Sequence, residues 1–178
     1  MPGEINRWLV LLPIPFEGGN GAGALQSEHV AREGQLRPRA GERVKVGRSE
    51  LVWREILSDD YRLDFNQIVG RQTQFSVAYA VCYLHSPTAQ TNLVLKIGSN
   101  DQAKLFLNER EVYRITNPQS WGPDRDTVSG IELKAGLNVL VFKVVNERVD
   151  WSGSIRITDA TGQPVNGLRM TLDPETRD

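Results

Sequence analysis

From about residue 75 onward the chain is written in short runs of β-branched and aromatic residues, several of them alternating apolar with polar. Segments 75–84 (FSVAYAVCYL), 91–98, 103–108, 111–115, 127–133, 137–145 and 152–159 all carry this pattern. In the second of them Leu93, Leu95 and Ile97 point one way and Asn92, Val94 and Lys96 the other, as in a half-buried strand. Ile155 and Ile157 alternate with Arg156 and Thr158 in the same manner. Segment 137–145 is apolar on nearly both faces, which predicts a central strand. The connections NERE, KAG and DATGQP are turn chemistry. Short strands at this spacing, with no long helical period, predict an all-β fold, an antiparallel β-sandwich.

The first 70 residues are patterned differently. They predict a strand at 9–12, a Gly-rich loop at 17–24, a short helix near 25–33 and a strand around 51–57; residues 63–70 suit a helical turn or a strand edge. The loop lacks the lysine and the serine or threonine of a phosphate cradle. Trp8 and Trp53 lie in strand-like runs and are expected in the core, as is Cys82, a buried thiol acting as a small hydrophobe. Leu9, Leu11 and Phe16 are too apolar to hang free, so residues 1–178 are expected to form one domain, with 1–70 packed on the sandwich.

Charge narrows the function classes. With 21 basic against 22 acidic residues the net charge is −1, which removes the usual electrostatic reason to bind nucleic acid or an anionic membrane. The longest apolar stretch, WLVLLPIPF (8–16), is short, holds two prolines and lacks a basic flank, so neither a signal peptide nor an anchor is expected from it. Neither His29 nor His85 has a partner at metal spacing, and no serine–histidine–acid set is evident, so a non-catalytic role is expected.

Two stretches, IGSNDQAKLFLNEREVYR (97–114) and residues 133–165, resemble the galactose-binding-like jelly-roll modules appended to bacterial glycoside hydrolases and other multidomain secreted proteins. The likeness covers roughly the last 90 residues. Gly98, Ser99, Asp101, Leu107, Asn108, Lys134, Gly136 and Asn138 match the pattern of a Gly-Ser-Asp-Asp-Gly turn, a Leu-Asn-Gly hairpin and a lysine-x-Gly-x-Asn turn. Asn100, Gln102 and Glu109 depart from it. The resemblance implies a jelly-roll fold, binding of an oligo- or polysaccharide, and an accessory place beside other domains of a secreted or cell-surface chain. Many such modules have only a packing role, so a structural or protein-interaction module is the competing expectation.

Antiparallel strands alternate direction, so every second connection falls at one end of the sandwich. Counting from segment 75–84 puts 71–74, 98–102, 116–126 and 146–151 together. This rim collects the candidate ligand-binding residues Asn100, Asp101, Trp121, Asp124, Arg125, Asp126, Asn146 and Trp151. A tryptophan can stack on the C–H face of a pyranose while amides, carboxylates and a guanidinium bond its hydroxyls. Trp151 also suits the first residue of a core strand. Asp124 and Asp126 on an extended segment would point the same way, about 7 Å apart. With Asp150 they are the candidate Ca²⁺ ligands.

Overall fold

The computed structural model describes residues 1–175, and thirteen strands dominate it. In chain order they are β1 (Arg7–Pro15), β2 (Arg43–Val46), β3 (Ser49–Val52), β4 (Arg54–Leu57), β5 (Arg62–Asp64), β6 (Ser76–Ser86), β7 (Gln90–Asn100), β8 (Ala103–Leu107), β9 (Arg110–Ile115), β10 (Asp126–Leu133), β11 (Gly136–Asn146), β12 (Ser152–Thr158) and β13 (Arg169–Thr171). Two short helices, α1 (Gly21–Gln26) and α2 (Phe65–Val69), and a 3₁₀ turn (Glu33–Gln35) complete the elements of the described residues. The architecture is an all-β antiparallel sandwich of the jelly-roll kind that the resemblance implied.

One sheet runs β4-β1-β6-β11-β8-β9, with β13 pairing β6 beyond the end of β1; the other runs β10-β7-β12-β5. β11, apolar on both faces, lies between β6 and β8 and pairs with β6 along its whole length, from Gly136↔Ser86 to Asn146↔Ser76. The inward rows of the two sheets, Leu93, Leu95, Ile97, Ile155 and Ile157 against Ala78, Ala80, Cys82, Phe142 and Val144, form the main core. Trp8 joins it, its Nε1 donating to Ile5 O at 3.1 Å. Strand β1 runs longer than the predicted 9–12. Pro13 offers no N–H, and the pairing with β6 shifts register between Leu11 and Ile14 to accommodate it.

The N-terminal region departs most from expectation. The helix predicted near 25–33 is not there: α1 lies earlier, at Gly21–Gln26, started inside the Gly-rich loop by the Asn20 side chain, which accepts from Gly23 N at 2.7 Å, and ended at an extended Ser27. Residues 16–53, with a β2–β3 hairpin, cover the outer face of the seven-stranded sheet. A second core forms there from Leu9, Leu11, Tyr79, Val81, Val141, Leu25 and Trp53. Beneath this cover, Lys143 Nζ donates to Leu25 O (2.9 Å), Ser27 O (2.6 Å) and Glu33 Oε2 (2.9 Å). Lys104 Nζ reaches Glu33 Oε1 at 3.0 Å and Tyr79 OH donates to Glu33 Oε2 at 2.6 Å, all of it out of solvent.

At the end away from the long loops, Asn138 Oδ1 accepts from Lys134 N (3.0 Å) and Asn108 Nδ2 (2.7 Å), while Asn108 Oδ1 accepts from Val139 N (2.9 Å). The two asparagines of the matched pattern therefore brace neighbouring turns.

Candidate functional site

The loops that strand parity assigns to one rim meet there. Glu147 O accepts from Phe75 N at 3.1 Å, Asp101 Oδ2 from Glu147 N at 2.8 Å, and Asn146 Nδ2 donates to Thr73 O at 2.7 Å. Gln119 Nε2 reaches Ser99 Oγ (3.3 Å) and Asp126 Oδ2 (3.0 Å), tying the 116–126 loop to β7.

The loop does not stand up from the rim. It folds back over the outer face of the four-stranded sheet and lays Trp121 there, half-buried, with Nε1 donating to Ser154 Oγ at 3.0 Å. Gly98 permits this approach: a Cβ at that position would lie 2.5 Å from Gly122 O and 2.9 Å from Trp121 Nε1. One side of the indole carries the Arg62 guanidinium, 4.5 Å from the ring centroid. Arg62 comes from β5 and sits opposite Ser154 in register, and Ser154 sits opposite Gly98, so the three form one rung of the sheet. Two rungs on, Asn100 pairs with Ser152. Asn100 Oδ1, Ser152 Oγ and Arg62 Nε are buried atoms without a hydrogen-bond partner, as is Tyr61 OH on the adjoining residue. Buried polar atoms are normally satisfied, so these orphans, three of them on the adjoining strands β5, β7 and β12, single out this part of the sheet.

The remaining candidates divide. Asp124 pairs with Arg156, Nε to Oδ1 at 2.9 Å, on the same outer face. Arg125 braces its own loop, donating to Gln119 Oε1 (3.0 Å) and Ser120 O (3.1 Å). Asp126 turns inward and accepts from Tyr113 OH at 2.7 Å. Asp101 is held at the rim, its carboxyl pushed above the usual range by burial. Asn146 is fully buried at the rim.

Two expectations need correction. Trp151 is not a surface residue: it is 1% exposed, packs on Phe65 at 5.1 Å and donates to Val144 O at 3.2 Å, as the first core residue before β12. The proposed metal ligands Asp124, Asp126 and Asp150 do not converge. Asp124 has a positive φ of 53°, so the segment is not extended and its carboxylate diverges from that of Asp126; Asp150 is exposed. Among the described residues no group of three His, Cys, Asp or Glu side chains is placed to hold a metal ion.

No family model matches the chain, and no curated protein does. Among solved structures it is similar to a family 35 carbohydrate binding module from an environmental isolate, at 24% identity over 55% of this chain and 72% of that one, with a TM-score of 0.37. That degree of superposition is too low to carry residue roles across.

Arg62, Ser152, Ser154 and Arg156 were missing from the sequence-based set. The outward row of β12 could have been found from alternation, since Ser154 and Arg156 flank the inward Ile155. Nothing local pairs Arg62 with Trp121, 59 positions later in the chain.

Proposed function

We propose that this chain is a non-catalytic glycan-binding module, an accessory part of a longer exported protein. It takes an oligo- or polysaccharide on the outer face of the four-stranded sheet beside the 116–126 loop. The observation that carries this reading is the half-exposed Trp121, its Nε1 held by Ser154 Oγ above Gly98 and one ring face covered by the Arg62 guanidinium. An indole held in this way offers its uncovered face to sugar C–H groups, and the Arg62 guanidinium and the Asp124–Arg156 pair on the same side of the sheet match sugar hydroxyls. The carboxylates nearby serve as hydrogen-bond acceptors: Asp124 is engaged by Arg156, Asp126 by Tyr113, and Glu147 by Gly21 N and Gln102. None of these three is left free to serve in the acid–base pair that glycoside hydrolysis needs, which favours binding.

Shallow, wet contacts of this kind give dissociation constants on the order of 10 µM to 1 mM. A glycan-array screen followed by NMR titration tests the reading. Shifts are expected at Trp121, Asn100 and Ser154, and shifts confined to Glu109, Ala135 and Gly162 at the other end would sink it. One observation favours a structural module instead: Arg62 and Ser154 already occupy one face and the N–H of the indole. Trp121→Ala separates the two. A binder loses glycan affinity and keeps its melting temperature, whereas a structural plug loses stability and had no affinity to lose.

A further inference from the structure

The cover over the seven-stranded sheet carries a groove of its own, on the opposite side of the sandwich from Trp121. Between the segment entering the 3₁₀ turn and strand β2 lies a recess of about 490 Å³, and past Leu36 and Arg37, which line both, a second recess of about 230 Å³ continues toward Lys134. Arg32, Arg37, Arg43 and Lys45 line the first. Arg43 is paired with Glu50 at 2.7 Å, while Arg32, Arg37, Lys45 and Lys134 make no ion pair among the described residues. Two acids also face the groove, Glu42 and Glu109, and Glu42 is partly engaged by Arg39 N at 3.0 Å. The floor is aliphatic, with Val30, Leu36 and Val44 half-buried. Arg32 itself sits at φ 57°, ψ 50°, a left-handed conformation uncommon outside glycine and asparagine.

We propose that this groove binds a polyanionic polysaccharide, a chain carrying repeated carboxylate or sulfate groups. Cations left unpaired along two adjoining recesses repel one another, and an anionic chain laid across them relieves that repulsion. The aliphatic floor matches the C–H faces of sugar rings. Single-stranded nucleic acid needs exposed aromatic rings for its bases, and the tryptophan of this groove, Trp53, is 1% exposed. The proposal is independent of the glycan site around Trp121.

Affinity electrophoresis of the 178-residue protein through gels containing heparin, polygalacturonate or neutral dextran tests it, with a single-stranded DNA oligonucleotide as competitor. Retardation is expected in one or both polyanion gels at about 20 mM salt, absent in dextran and lost by about 300 mM as screening shortens. Arg32→Ala/Arg37→Ala should weaken it roughly tenfold and the Arg7→Ala/Arg71→Ala control less than about twofold. Melting temperatures of the variants confirm that each is folded. No retardation at low salt, equal loss in both double variants, or displacement by DNA at lower concentration than by free polyanion would each overturn the assignment.

Discussion

Two buried lysines meet one buried glutamate beneath the N-terminal cover, and the arrangement sets how single changes act. Removing the negative partner by Glu33→Gln leaves Lys104 and Lys143 as uncompensated charges and is expected to cost about 3 to 5 kcal/mol in urea unfolding. Burial draws the Lys143 ammonium down to about 8, although Glu33 beside it acts in the opposite sense. Between pH 8 and about 10 the unfolded chain therefore holds a proton that the folded chain has released, so raising the pH stabilises the fold. Above that window the trend reverses, because Tyr79, Tyr83 and Tyr113 are pushed up by burial and their unfolded counterparts ionise first. The urea midpoint of the wild type should gain on that of Lys143→Met across pH 8 to 10; parallel curves would refute this account. At the candidate site, Gly98→Ala is expected to cost about 1 to 3 kcal/mol and to free Trp121, read as a shift of its fluorescence to the red, since the added methyl collides with Gly122 O and the Ser154 hydroxyl. These residues differ in how far sequence exposes them. Lys143 shows itself as a charge in an apolar row of a central strand, but its partner Glu33, 110 positions away, gives no local sign.

At the level of elements, β1 and the cover that follows it bind the sheet from two directions. β1 is hydrogen-bonded to β4 on one side and β6 on the other, and residues 16–53 close the outer face. A chain beginning near residue 70 would lose the partner of β6 and expose Tyr79, Val81, Tyr83 and Val141, so it should aggregate on size-exclusion chromatography; clean two-state folding would contradict this. The strands of the C-terminal half were legible because a sheet buried on one face leaves a period of two, as Leu93, Leu95 and Ile97 show. The β2–β3 hairpin was not. Its inward residues Val44, Val46 and Leu51 are few, separated by charges, and only half-buried, so they imprint little pattern. The rim followed from strand parity alone, yet the path of the 116–126 loop across the sheet depends on Gly98 and Ser154, contacts no periodicity encodes.

Taken as a whole, the molecule is two cores divided by one sheet, with the residues between the sheets of one kind and those beneath the cover partly charged. Cys82 belongs to the first, fully buried, its thiol pushed up by burial, and should react with a thiol reagent only as fast as the native state opens. The pairing of β1 with β6 spans more than sixty residues of chain, and this has a consequence during synthesis. At roughly 5 to 20 residues per second, the ribosome takes on the order of 4 to 14 s to extend the nascent chain from the end of β1 to the end of β6. For that interval WLVLLPIPF can pair only with β4, itself a late and short strand, and presents an unpaired apolar edge to the cell. The two prolines within that run interrupt the row of N–H donors while it waits, a safeguard that matters before the fold exists rather than after.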